Sequence, residues 1–239
     1  QNDVILDEFV PWYDEGDKTK NGYNIIDARG KAIIPGLVDS HNHLVWSGDR
    51  SNELSLRQAG KSYSDIANLG GGIKKTVKST RDSNFSDLLS KANDRLDIAV
   101  MNGTTTLEAK SGYGLCNETE DLILRVNYNL SKNSNCNIFS TWLGAHDFPD
   151  DKSRSQYLEE LIDIQLPNVS ENKLAKWVDV FCEPGWFTVE ETEIIVKASQ
   201  EVGLKSRLHV DEFVDSGGLA LASELGSVSG DHVAFSNDE

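Results

Sequence analysis

The chain has 239 residues, 38% of them apolar, enough to bury one substantial core in a single α/β domain. Its formal charge of −16, from 39 acidic and 23 basic residues, argues against nucleic acid or an anionic membrane as partner, and no apolar run approaches a membrane span. Cys116, Cys136 and Cys182 are odd in number and widely spaced, with no Cys-x-x-Cys, which fits free thiols in a reducing cytoplasm.

Residues 1–34 differ in character from the rest of the chain. Val4-Ile5, Phe9-Val10 and Ile25-Ile26 are short β-type pieces, and Asn21-Gly22 favours a tight hairpin. Two or three such strands are too little for an independent domain, so 1–34 reads as part of a small β domain. The first residue is Gln, and a longer parent protein is expected.

Residues 35–239 read as a second unit. Ala32-Ile33-Ile34 is broken by Pro35-Gly36 and resumed by Leu37-Val38, which predicts a buried strand entered through a turn. His41 and His43 come where that strand should end. On an extended backbone residues i and i+2 share a face, so both imidazoles can aim at one point, as a metal requires.

A loop through Arg50 leads to a segment with helical features, containing Tyr63, up to about Leu69. Gly70-Gly71-Gly72 suits a loop that closes over a ligand; with no subsequent Lys-Ser/Thr it is not a phosphate loop. Ser86–Met101 has helical spacing, with Ser86 as the expected cap.

From there strands and helices alternate. Strands are predicted at 104–110, 137–145, 177–182 and 204–208, and helices at 117–129, 155–166 (stopped by Pro167), 188–202 and 217–225. Ser227–Asp231 then leads to His232. Repeats of this kind give a parallel sheet with crossover helices. Six strands are visible, against the eight of a closed barrel. The chain holds five histidines, and His43, His146, His209 and His232 fall at or just past C-terminal strand ends, where such sheets place their chemistry.

His41, His43 and His209 stand out as metal ligands, three protein groups with one position open, the arrangement of a catalytic site. Water activated there would need a proton acceptor, and Glu212, three residues past His209, is placed for it.

The stretch Pro35-Gly36-Leu37-Val38-Asp39-Ser40-His41-Asn42-His43 resembles the metal-dependent amidohydrolase superfamily. Within it, Gly48-Asp49-Arg50, Gly70-Gly71-Gly72-Ile73, Ala109-Lys110-Ser111-Gly112-Tyr113-Gly114, Gly144-Ala145-His146 and His209-Val210-Asp211-Glu212 are similar to the imidazolonepropionase family, from about residue 24 onward. The resemblance implies a (β/α)8 barrel, here incomplete, with part of a β-sandwich domain at 1–34, and hydrolytic ring opening of 4-imidazolone-5-propanoate to N-formimidoyl-L-glutamate in the cytoplasm. It implies one zinc or iron ion on His41, His43 and His209. Glu212 would be the acid/base and also contact substrate, and His232 would polarise the carbonyl. Arg50, Tyr63, Tyr113 and His146 would bind substrate, with the Arg50 fork matched to the propionate carboxylate. A small-molecule substrate is the implied partner, and a homodimer is compatible. The family's last ligand, an aspartate after the eighth strand, has no counterpart here, since Asp231 and Asp238 are not equivalently placed. Lys110 is either a structural strand-end residue or, as in some relatives, a carboxylated bridge between two metals; the resemblance favours the former. A deaminase of heterocyclic bases and an inactive barrel are the alternatives.

Overall fold

The computed structural model describes residues 28–62, 65–66 and 69–237. The expected β pieces between Val4 and Ile26, together with Tyr63 and Asp238, lie outside the described residues. The chain divides after Pro35 into two units. Of the first, residues 28–35 are described; they contain a turn at Arg29-Gly30 and no strand, so the run Ala32–Ile34 is not part of the sheet.

In the second unit six strands form one parallel sheet in sequential order: β1 (Leu37–Asp39), β2 (Thr104–Lys110), β3 (Asn137–Ala145), β4 (Trp177–Cys182), β5 (Lys205–Val210) and β6 (Gly230–His232). Laid flat, six strands would separate β1 from β6 by about 24 Å. Instead His41, just past β1, meets Asp231 of β6 at 2.7 Å, and Arg207 of β5 reaches Glu108 of β2 at 3.2 Å. The sheet is therefore curled around its own side chains, as part of a (β/α)8-type barrel. No helix among the described residues is long and apolar enough to cross a membrane.

Among the described residues the bounded helices are α1 (Glu53–Gln58), α2 (Ile73–Arg81), α3 (Phe85–Met101), α4 (Asn117–Asn133), α5 (Arg154–Glu160), α6 (Leu166–Glu171), α7 (Val189–Glu201) and α8 (Gly218–Glu224). Strand residues alternate between them and the interior. Val178 and Val180 of β4 pack with Ile195 and Val196 of α7, while Leu107 and Ala109 of β2 pack with Leu96 of α3 and Ile123 of α4. Thr188 and Glu191 form a reciprocal capping box on α7, which satisfies two of the backbone donors left open at a helix start.

Several expectations are corrected. Leu37 and Val38 are 48% and 67% exposed, not buried, because among the described residues β1 is an edge strand that pairs only with β2. The helical segment expected up to Leu69 is broken after Gln58, with Gly60 at φ +83°, and Asp65-Ile66 are helical again. The cap of α3 is Asn84, whose side chain accepts the Asp87 N–H, rather than Ser86. Pro167 does not stop the helix there: a π-helical turn, Leu161–Gln165, precedes it and Pro167 sits in the first turn of α6, where its missing N–H costs no bond. β5 extends past Leu208 to Val210, so His209 lies within the strand.

Candidate active site

All five histidines gather at one end of the sheet. The ring of His41 lies 4.6, 5.0 and 5.9 Å from those of His209, His232 and His43, and His146 stacks on His43 at 5.0 Å. His41, His43 and His209 each offer a ligand atom within 4.8 Å of the others. They border a cavity of about 500 Å³ that Phe181, Trp186, Phe213 and Glu212 also line.

What faces the far side of each ring decides which nitrogen is free. His43 Nδ1 lies 3.1 Å from the Ser111 carbonyl, and His146 Nδ1 lies 2.9 Å from that of Gly112. His41 Nδ1 meets the Asp231 carboxylate at 2.7 Å, and His209 Nδ1 meets Asp179 at 3.0 Å. These partners only accept, so each Nδ1 is assigned the proton, leaving the Nε2 lone pair for a ligand. Burial, with neighbouring imidazoles, holds His43 well below the ordinary histidine range and His146 down at about 3. Burial also lowers His209, against the pull of Asp179. Neutral imidazoles with oriented lone pairs are the donor set a zinc or iron ion takes, so these residues fit the ion.

The loop after β2 is shaped for this site. Gly112, at φ +101°, has no room for a Cβ, which would lie 2.7 Å from His146 Nδ1. Glu120, buried in α4, accepts the N–H groups of Gly112, Gly114 and Leu115. That grip places Tyr113 edge-on to both His43 and His146, at 5.2 and 5.5 Å. Glu212 stands 3.6 Å from His232 Nε2, and its backbone N–H donates to the buried Glu183 at the end of β4.

Arg50 sits apart from the histidines. Its guanidinium pairs at 3.0 Å with Glu53 and borders an adjacent cavity of about 350 Å³ together with Trp46 and Tyr113. Arg57 lines both cavities, and Lys61 lines the histidine cavity. Neither is anticipated from the sequence, although Arg57 lies in α1, the helix that starts three residues after Arg50. The glycine run is held rather than loose: Gly72 N–H donates to Glu53 at 2.8 Å, and a Cβ on Gly71 would meet that same carboxylate.

Beneath the histidines the interior is charged. Lys110 is fully buried, with its ammonium 2.6 Å from Asp179 and 3.1 Å from both Glu108 and Asp231. Burial opposes the charge of Asp179, but His209 and the Lys110 ammonium outweigh it and hold the carboxyl well below its usual range. An ammonium so paired stays protonated: burial lowers its pKa, and the three carboxylates more than reverse that.

No family model matches the chain. Curated relatives do. It is 46% identical over 219 residues to an imidazolonepropionase of Clostridium tetani, covering 91% of this chain and 52% of the relative. It is 44% identical over 217 residues to one of Treponema denticola (90% and 52%) and 46% over 216 residues to one of Bacteroides thetaiotaomicron (89% and 52%). The chain thus spans about half the length of the curated relatives it matches. Among solved structures it is similar to an adenine deaminase of Arthrobacter aurescens, with a TM-score of 0.55 at 11% identity over 84% of this chain and 63% of that one, a likeness of fold alone. Over the half of their length that it spans, the chain is similar to the imidazolonepropionases, and its six strands form part of a (β/α)8-type barrel.

Proposed function

We propose that the protein to which this chain belongs opens the ring of 4-imidazolone-5-propanoate by hydrolysis, giving N-formimidoyl-L-glutamate. The reading rests on one observation above all: three imidazoles with their Nδ1 atoms already engaged turn their remaining nitrogens toward one cavity, in a chain 42–46% identical to imidazolonepropionases. His41, His43 and His209 would hold one zinc or iron ion. When bound, such an ion supplies Lewis acidity and makes water nucleophilic near neutral pH.

The chain's own residues do the rest. Glu212, at the cavity wall, takes the proton released as water adds to the ring carbonyl carbon, then delivers it to the ring nitrogen as the amide C–N bond breaks. His232, beside Glu212, steadies the charge that gathers on the carbonyl oxygen. Tyr113 and His146 pack against the ring. Arg50, oriented by Glu53 in the adjoining cavity, receives the propionate carboxylate, and the resemblance assigns Tyr63 to substrate binding as well. A cytoplasmic location belongs to the same reading, and a homodimer is compatible with it.

The test uses the zinc- or iron-loaded protein and two compounds, the propionate substrate and its neutral carboxamide. Loss of the ring absorbance with the acid, and a strong preference for acid over amide that Arg50→Met largely removes, is the expected outcome. A charge-assisted contact of this kind is worth roughly 10- to 150-fold in kcat/KM. An unchanged preference in Arg50→Met would move the carboxylate receptor elsewhere, and no turnover of the acid by the loaded protein would sink the reading.

A further inference from the structure

We propose that Lys110 is a positioning residue for the metal centre: its ammonium pins the Asp179 and Asp231 carboxylates against the Nδ1 atoms of His209 and His41. The proposal rests on the metal-centre reading and adds to it a single buried cation that orients two ligands at once.

The chain of contacts is continuous. Lys110 Nζ lies 2.6 Å from Asp179 Oδ2, and Asp179 Oδ1 lies 3.1 Å from His209 Nδ1. On the other side Lys110 Nζ lies 3.1 Å from Asp231 Oδ2, the oxygen that meets His41 Nδ1 at 2.7 Å. The third carboxylate, Glu108 at 3.1 Å, matches the third N–H of the ammonium. The Lys110 backbone joins the same assembly. Its N–H donates to the Asn42 carbonyl at 2.8 Å, and the carbonyl of the next residue, Ser111, faces His43 Nδ1. All three candidate ligands are thus tied to residues 110 and 111.

A stabilising role alone explains this poorly. Buried ion pairs give little net stability against apolar residues of similar volume, because both charges must leave water. Three carboxylates and two cations, Lys110 and Arg207, share this interior, so the cluster formally carries one negative charge beneath the three imidazoles. A cation above it would meet ligands whose basicity the carboxylates raise. Arginine in place of Lys110 would be too long and planar for a central point contact with three acceptors.

The test measures zinc affinity by competition with a chromophoric chelator, and the visible spectrum of the cobalt-substituted protein. Asp179→Asn and Asp231→Asn should each weaken zinc binding by about 10- to 100-fold and shift the cobalt bands, while the far-ultraviolet circular dichroism of the metal-free protein stays unchanged. Lys110→Met should weaken binding similarly in the parent but by less than about threefold on top of the double Asn variant, since it acts through that pair. If Lys110→Met alone does not fold, the two Asn variants decide. Parent-like affinity and cobalt spectra in both Asn variants would overturn the proposal, as would an equal loss from Lys110→Met in the two backgrounds. A parent that binds neither zinc nor iron would instead overturn the metal-centre reading itself.

Discussion

Neighbouring residues of one strand here inhabit two different solvents. In β4, Val178 and Val180 face the helices and sit in an apolar cluster with Ile195 and Val196, whereas Asp179 between them faces the interior and meets Lys110 and His209. β2 repeats the division, with Leu107 and Ala109 outside and Glu108 and Lys110 within. The outer layer is where burial of apolar surface holds the fold together. The inner layer buries charge at a cost, and that cost is matched by order: each carboxylate has a defined partner, and two of them orient imidazoles. Stability and chemistry are therefore assigned to opposite faces of the same sheet, one residue apart.

Substitutions on the two faces should separate cleanly. The largest effect is expected from His209→Ala, which removes one of three candidate ligands: turnover should vanish and metal content fall sharply, and full occupancy by elemental analysis would break the assignment. Glu212→Gln should keep the metal, since Glu212 is not among the proposed ligands, yet lower kcat by roughly 100-fold or more. Near-normal kcat would move proton transfer to His232. In the outer apolar layer, Leu124→Ala in α4, a buried member of the cluster around Val178 and Val180, should cost about 2–5 kcal/mol in denaturant unfolding through the cavity it leaves, with the metal per folded chain unchanged. If that variant lost metal at full folding, the two faces would not be independent.

The alternation that creates this division is legible in the sequence. β-branched and apolar residues at every second position mark β2, β3 and β4, and the fall of His43, His146, His209 and His232 near strand ends points to the site. What escapes is what depends on distant partners. Lys110 looks like any strand-end lysine until Asp179 and Asp231, 69 and 121 positions away, are brought against it. Asp231 reads as one more acidic residue until the fold brings it to His41. The exposure of Leu37 and Val38 depends on which strands flank β1, a fact that hydrophobicity does not encode. Pro167 reads as a stop because its lack of an N–H forbids an ordinary helical turn, yet a π turn before it removes that objection. Arg57 and Lys61 carry no motif, and only the cavity picks them out.

The most direct measurement is the coordination of the ion itself, by X-ray absorption and anomalous diffraction at the zinc and iron edges. One ion is predicted, bound by the Nε2 atoms of His41, His43 and His209 at about 2.0–2.1 Å if it is zinc, with no sulfur in its shell. An ion held elsewhere, a shell containing cysteine sulfur, or no ion after reconstitution would contradict the assignment of the inner face to metal chemistry.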